Sequence, residues 1–574
     1  MEADPALTEN ALRVLRHRYL IKDEEGAVVE TPAQMFRRVA KNMAESDRRY
    51  GGRDMEEDFY QAMSSLTFMP NSPTLMNAGT RLQQLAACFV IPVEDSIEGI
   101  FDAVKWAAVV HQSGGGTGFS FSRLRPSGDI VASTFGTSSG PISFMRVFDI
   151  ATDAVKQGGR RRGASMGVLR VDHPDIISFI KAKLDKTSLA NFNISVGVSD
   201  KFMEAVKRGE RYDLINPHNG GVWGTADARQ VFDELCHSAW SSGDPGLLFL
   251  DEMNRHNPTP FLGQFETTNP CGEVPLLPFE ACNLGSVNLA RLLSRDGDID
   301  WERFDDAVYV AVRFLDDVID ASRYPLPQID AVVKGNRKIG LGLMGFADIL
   351  LRWGIRYGNR ESLDVAKRII SRMKDLAEEA SEELASERGD FPNIDGSQIS
   401  GHRRNATVLS IAPTGTISII AGCSSGIEPI FSFQLERHVM EGAELLERND
   451  ILANALDEAK VDKEMVFRQL RMGMRLSDLP GVPDHIREVF VTAHDVAPKD
   501  QVRVQAKFQD YVDNAVSKTI NLRSTESVET IRDVYLEAYE MKCKGITVYR
   551  DGSKPGQVLT SAKIECSTCG NVGL

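Results

Sequence analysis

The run TTNPCGEVPLLPFEACNLGSVNL, residues 267–289, sets an amide, a thiol and a carboxylate at alternate positions, with a second thiol eleven residues beyond the first. Pro270 biases Asn269 towards extended backbone. In extended chain, alternate side chains project to one side, so the spacing predicts that Asn269, Cys271 and Glu273 share a face. Gly272 between them would let a ligand approach the main chain. Residue type alone leaves the role of Cys271 open. It could be a small buried hydrophobe. It could be a thiol nucleophile, although no histidine lies in the run to activate it. Neither Cys271 nor Cys282 has the CxxC or HxxxH spacing of a zinc site.

Outward from this run, extended and helical segments alternate. Compact β-branched stretches at residues 167–171, 193–198, 407–411 and 546–549 read as buried strands. A helix is predicted from Asp95, where Asp95 and Glu98 have capping-box spacing. Its inward stripe would be Ile97, Ile100, Phe101, Val104 and Ala108, and Gly114 would end it. Residues 362–388 predict a second helix, stopped by Gly389, with Ile369, Met373, Leu376, Ala380 and Leu384 inward. Residues 528–544 predict a third, closed by Gly545. Strands separated by helices indicate an α/β protein with mostly parallel pairing. The expected division is a polar helical region over 1–60, a catalytic body over 61–550 and a mobile tail over 551–574.

Bulk properties exclude more than they identify. The 574 residues carry 66 basic and 81 acidic side chains, a net charge of −15, which repels phosphate along any broad surface and argues against nucleic acid. The N-terminal MEADPALTEN has acids where a signal peptide has positive charge, and no run approaches the ~20 apolar residues of a membrane span, so a cytoplasmic protein is expected. Eight cysteines are too few for a disulfide scaffold in a chain of this length. Cys236, Cys423 and Cys543 read as structural.

NPCGE followed by CNLGS closely resembles the active-site segment of ribonucleotide reductases. Further ordered blocks carry the same resemblance: MPNSPTLMNAG (69–79), ACFVIPVEDSIEGIF (87–101), HQSGGGTGFSFSRLRPSGD (111–129), KQGGRRRGASMG (156–167), NRKIGLGLMGFAD (336–348), APTGTISIIAGCSSGIEP (412–429) and KGITVYRDGS (544–553). The resemblance implies a ten-stranded α/β barrel, two parallel five-stranded halves packed antiparallel, with an N-terminal helical cap. It implies that Cys271 becomes a thiyl radical that takes hydrogen from C3′ of a ribonucleotide. Glu273 would accept the 3′-hydroxyl proton, and Asn269 would hold the sugar. Cys88 and Cys282 would give up two electrons and end as a disulfide. Such a radical should sit deep in a closed core, away from water.

The same resemblance assigns the substrate, a ribonucleoside diphosphate, to Ser72, Ala87, Thr414, Gly415, Thr416 and Ile417. It assigns a deoxynucleoside triphosphate effector to Asp95, Ser96, Ile97, Gln112 and Arg125, beside a helix that pairs two subunits in a homodimer. Gln112 stands where some relatives have lysine. Lys156, Gln157, Gly158, Gly159, Arg160, Arg161 and Arg162 would form the loop linking effector to substrate base; a solvated basic loop is the plain alternative. SGGGTG (113–118) lacks GxGxxG spacing and follows a helix, so a dinucleotide fingerprint is rejected. Cys566 and Cys569 resemble a tail dithiol served by a thioredoxin-type reductant; half of a zinc ribbon is the rival.

Three radical sources divide this family. The relay of two adjacent tyrosines is missing where the chain reads Ile546-Thr547-Val548-Tyr549, and no glycyl-radical motif is present. The expectation is therefore the adenosylcobalamin-dependent class, with no metal held by the chain itself and no ATP-binding regulatory domain. Another radical-barrel enzyme, such as a glycyl-radical lyase, would not need Glu273 together with Cys88 and Cys282. A nucleotide-binding regulator without chemistry would have no use for three such cysteines.

Overall fold

A computed structural model describes residues 5–131, 135–155, 163–185, 187–438, 444–554 and 559–561. Ten strands form its main sheet: β1 (Phe68–Pro70), β2 (Cys88–Val90), β3 (Gly116–Ser120), β4 (Ser165–Arg170) and β5 (Phe192–Val198), then β6 (Gly246–Phe249), β7 (Ala281–Asn288), β8 (Ile339–Met344), β9 (Thr519–Leu522) and β10 (Gly545–Arg550). Strands β2 to β6 pair in parallel, in chain order. Strands β7 and β8 are parallel, as are β9 and β10. The gap between these two pairs is filled by residues 407–411. Ile339 N donates to Thr407 O at 3.1 Å on one side, and Ile411 N donates to Ala515 O at 3.2 Å on the other.

This segment completes a second parallel set of five. The two sets meet antiparallel at both seams, β2 against β7 and β6 against β10, which closes a barrel. The expected architecture is thus observed. Strand β1 lies outside the ring, antiparallel to the far end of β7. A closed ring leaves no long unpaired edge, and its strands are buried on both faces, hence the near-continuous apolar runs of β4, β5 and β8.

The predicted helices hold with corrections at their ends. The helix after β2 spans Ile97–Ser113 and is capped by Ser96, whose side chain accepts from Gly99 N; Asp95 is committed elsewhere, so the Asp95–Glu98 box does not form. Its buried face is Ile100, Ala103, Ala107 and Val110, whereas Ile97 and Phe101 are 60% and 51% exposed. The long helix spans Arg360–Arg388, with Leu376 only half-buried. The last helix stops at Glu540, and Gly545 opens β10 instead of closing the helix.

The N-terminal region is helical but less polar than its composition suggests. Its helix Pro32–Asp47 starts at a Thr31/Gln34 capping box and buries Met35, Phe36, Val39 and Met43 in the main core. That helix packs against Trp301–Ala321, a helix whose other neighbours include Glu56–Ser64 and Arg360–Arg388. At this junction Arg388 reaches Asp47, Asp316 and Asp317, with all four side chains buried.

Candidate active site

The two-residue strands Thr267–Thr268 and Pro275–Leu276 pair antiparallel, making residues 269–274 the loop of a tight hairpin. The extended run expected here is replaced by a turn. Gly272 takes φ +83°, where a side chain would be strained, and its N–H donates to Asn269 O at 3.1 Å. The Asn269 side-chain oxygen accepts from Val274 N at 3.0 Å, so one asparagine ties both ends of the loop.

The barrel interior holds this hairpin from two sides. A Cβ at Gly118 would lie 1.9 Å from Thr268 O, and one at Gly116 would lie 2.9 Å from Pro270 Cγ. The glycines of β3 are therefore there to admit the hairpin, which is the physical content of the SGGGTG run. Asn193 on β5 donates to Pro270 O at 2.9 Å. Across the barrel, Glu273 O accepts from Ala515 N at 2.8 Å and from Ser410 Oγ at 2.9 Å.

Four of the five expected reacting groups are buried: Asn269, Glu273, Cys88 and Cys282. Cys271, at the tip of the loop, is exposed, contrary to the expectation of a shielded sulfur. The loop is inside the barrel, but the residue at its tip remains accessible. Cys88 and Cys282 face each other in register on β2 and β7, and both are free thiols. Asn269 Nδ2 donates to Cys88 Sγ at 3.1 Å, and Cys282 Sγ donates to Asn283 O at 3.3 Å.

Burial pushes both thiols well up. Cys88 is raised further by Glu273, Cys271 and Cys282; for Cys282 the Lys338 ammonium opposes the burial, and Glu273 and Glu280 reinforce it. These mutual effects draw the three cysteines and Glu273 into one electrostatic neighbourhood. Two buried, protonated thiols are poor nucleophiles but carry the hydrogen and electrons that a two-electron reduction consumes.

The turn Pro413–Thr416 follows residues 407–411 at the barrel rim. Thr414 takes φ +53°, and its hydroxyl accepts from Gly426 N at 2.7 Å. Gly415 is exposed, with nothing within 4 Å of where its Cβ would be. Ala412 packs in one apolar cluster with Cys88, Cys282 and Val274, against which Ala87 rests, so this turn adjoins the thiols. Ser72 begins the helix Ser72–Asn77, and its Oγ is 2.8 Å from Tyr19 Oη. Tyr19 comes from the N-terminal region and carries no sequence signal of its own.

The expected effector residues surround the start of Ile97–Ser113. Arg125 is held by Asp95, through its backbone N–H at 3.0 Å and its Nε at 2.9 Å, and its NH2 lies 3.4 Å from His218 Nδ1. His218, between the hairpin strands Arg211–Ile215 and Val222–Asp227, was missed because nothing in its spacing marks it. Ile97 and Gln112 are exposed. Residues 156–162, the expected base-linking loop, and Cys566 and Cys569 lie outside the described residues. Among the described residues, no group of three His, Cys, Asp or Glu side chains could hold a metal, and no helix is long and apolar enough to cross a membrane.

Comparison with known proteins bears on this arrangement. The barrel domain of ribonucleotide reductase matches residues 86–403 and 400–549, and its all-alpha domain matches 6–83. The chain belongs to the ribonucleotide reductase family. Among relatives of this reductase, a vitamin B12-dependent ribonucleoside-diphosphate reductase of Thermoplasma acidophilum is 47% identical, over 98% of this chain and 81% of its own length. One of the same description from Mycobacterium tuberculosis is 48% identical, over 96% and 80%. The class Id ribonucleotide reductase alpha subunit of Actinobacillus ureae superposes with a TM-score of 0.80 at 24% identity, covering 96% of this chain and 99% of that one, which shows the shared fold.

Proposed function

We propose that this chain reduces ribonucleoside diphosphates to 2′-deoxyribonucleoside diphosphates with adenosylcobalamin as cofactor. The observation that carries the proposal is one loop inside a closed barrel. It presents the open thiol of Cys271 beside buried Glu273 and the facing thiols Cys88 and Cys282. Relatives at 47–48% identity described as B12-dependent diphosphate reductases support the cofactor and the substrate.

Adenosylcobalamin, when bound, supplies the one-electron chemistry that makes a thiyl radical of Cys271. The accessibility of Cys271 fits that role. Cys271 then takes the C3′ hydrogen, and Glu273, anchored through its carbonyl, accepts the 3′-hydroxyl proton. Loss of the 2′-hydroxyl as water is followed by reduction from Cys88 and Cys282, leaving their disulfide. Asn269 both holds the sugar and keeps Cys88 Sγ in place.

The diphosphate lies on Thr414, Gly415, Thr416 and Ile417, with Ser72 and Ala87 completing the rim. A deoxynucleoside triphosphate effector binds at Asp95, Ser96, Ile97, Gln112 and Arg125, and Lys156, Gln157, Gly158, Gly159, Arg160, Arg161 and Arg162 pass its identity to the substrate base. The exposed Ile97–Phe101 stripe pairs two copies as a homodimer. Cys566 and Cys569 renew the active-site thiols from a thioredoxin-type reductant. Residues 1–60, 61–550 and 551–574 act as cap, catalytic barrel and tail.

The test is incubation with CDP, adenosylcobalamin, dithiothreitol and a deoxynucleoside triphosphate, followed by chromatography for dCDP. Product is expected from this chain alone. Product only after addition of a separate radical-generating subunit would overturn the cofactor assignment.

A further inference from the structure

Lys338 is a buried cation beside the thiol pair that the chemistry above leaves unused. Asn283 is in register with Ile339 on the parallel strands β7 and β8, which makes Lys338 the lateral neighbour of Cys282 one step earlier. Gly340, two residues on and therefore on the same face, would set a Cβ 3.5 Å from Cys282 Sγ. On its other side Cys282 faces Cys88. Cys88, Cys282 and Lys338 thus form one row across the barrel wall.

The lysine is fixed with care. Its Nζ donates to Glu280 Oε2 at 2.7 Å, with both side chains 1% exposed, and it stands 4.6 Å from the centre of the Phe265 ring. Glu280 also accepts from Leu277 N at 2.6 Å and from Asn336 Nδ2, which locks the turn from which Cys282 departs. A buried ion pair is costly to desolvate and is weak evidence of a purely stabilising role.

The two sulfurs are not equivalent. Cys88 is 5% exposed, whereas Cys282 is fully enclosed beside Leu284 and Gly340. The little exposure that the pair has lies at Cys88, which favours attack there and makes Cys282 the sulfur that leaves. We infer that Lys338 is a positioning residue for re-reduction, holding Cys282 as the leaving thiolate and so directing the incoming dithiol to Cys88. This rests on the reading of Cys88 and Cys282 as the redox pair.

The step balances as a two-electron exchange. A thiolate of the dithiol bonds to Cys88 Sγ, the Cys88–Cys282 bond breaks, and its electron pair departs on Cys282, which takes up a proton. The second thiolate of the dithiol then attacks its own partner sulfur and releases Cys88, which is protonated in turn. The dithiol leaves as a disulfide, its two protons transferred. A nearby cation speeds the first exchange because a more stable thiolate leaves faster.

The test uses the full chain with the disulfide formed either by one turnover on CDP or by diamide. A limiting pulse of dithiothreitol is quenched in acid, and free thiols are tagged and mapped by mass spectrometry. Cys282 is expected to be tagged first, with the reductant on Cys88. Lys338→Met should slow re-reduction about tenfold relative to the first turnover, through loss of leaving-group stabilisation, and should scatter the tag between the two sulfurs. The double variant Glu280→Gln/Lys338→Met, which leaves no unpaired buried charge, should do the same. Cys88 tagged first in the unmodified chain, or an unchanged rate and order in the folded double variant, would overturn the inference. Absence of dCDP with normal tagging after diamide would count against the proposed function and leave the inference standing.

Discussion

Cys88 and Cys282 stand opposite each other at the seam where the two parallel halves of the barrel meet, with the Asn269 amide 3.1 Å from the Cys88 sulfur. Only at such a seam do antiparallel neighbours bring two cysteines 194 residues apart into register. One turnover without external reductant should therefore yield one dCDP and one disulfide per chain, read by mass spectrometry of the linked peptides. Cys282→Ser should make no more than background product while keeping its far-UV circular dichroism. Sustained turnover in that variant would remove the pair from the chemistry.

Glu273 is buried, and its backbone carbonyl is held by Ala515 and Ser410, which fixes the main chain from which its carboxyl group projects. Glu273→Gln keeps the shape and removes the base. Loss of a positioned general base costs typically 10²–10⁴-fold, so kcat should fall by about that range with KM nearly unchanged. Cys271→Ala, by contrast, should leave no turnover at all. A Gln variant within about threefold of the parent, measured by dCDP formation, would take proton transfer away from Glu273.

Much of this site was legible in the chain and some was not, for physical reasons. The alternation of β-branched runs with helices gave an α/β protein with mostly parallel pairing, the family resemblance supplied the barrel, and residues 407–411 were readable as a strand although they pair through only a few bridges. The chemistry-bearing residues sat within one short run. What failed was local geometry. An extended Asn269–Glu273 gave way to a turn because Gly272 could take positive φ and Asn269 could close it. The cap at Asp95 lost to Ser96 because Arg125, distant in sequence, claims the aspartate. Tyr19, His218, Glu280 and Lys338 come from separate elements and meet only in the folded chain.

Four buried thiols, Cys88, Cys236, Cys282 and Cys543, are all raised by desolvation, Cys236 and Cys543 to about 12. The folded chain keeps these protons where the unfolded chain, with thiols near ~8.5, has lost them. Their contribution to stability is complete below the unfolded value and falls as pH rises, by about 1.4 kcal/mol per pH unit for each thiol. Lys544, lowered by burial to about 8, and Lys183, also lowered, act in the opposite sense over the same interval. Four thiols outweigh two lysines, so the thermal midpoint under reducing conditions should drop between pH 8.5 and 10. A midpoint that rises across that interval would contradict the sign.

Ile97 and Phe101 lie one turn apart on the outer face of the helix Ile97–Ser113, 60% and 51% exposed. Large apolar side chains grouped on a helix face and left open mark a contact surface. The double variant Ile97→Glu/Phe101→Glu should convert the proposed dimer to monomers in sedimentation velocity, with circular dichroism unchanged, because neither side chain supports the core. It should also lose the response to a deoxynucleoside triphosphate, whose proposed site begins at Asp95 and Ser96. An unaltered sedimentation profile would remove this face from the proposed dimer.

Arg388, the last residue of the long helix, closes a buried network that joins the N-terminal region to the barrel. It contacts Asp47, and it lies 2.8 Å from both Asp316 and Asp317. Asp316 has other cations in Arg337 and Arg404, and Asp47 has Arg313. Asp317 has Arg388 as its cation: burial pushes its carboxyl well up from the usual range, Arg388 opposes that, and Asp47 and Asp316 reinforce it. Removing one partner of a buried ion pair costs about 3–5 kcal/mol, because the other charge is stranded. Arg388→Met should therefore lower the urea midpoint strongly. Arg388→Met/Asp317→Asn should regain a large part of the loss, since the stranded charge is removed while Asp316 and Asp47 keep their own arginines. If the double variant is no more stable than the single one, the cost lies in lost packing of the Arg388 stem and not in an unpaired Asp317.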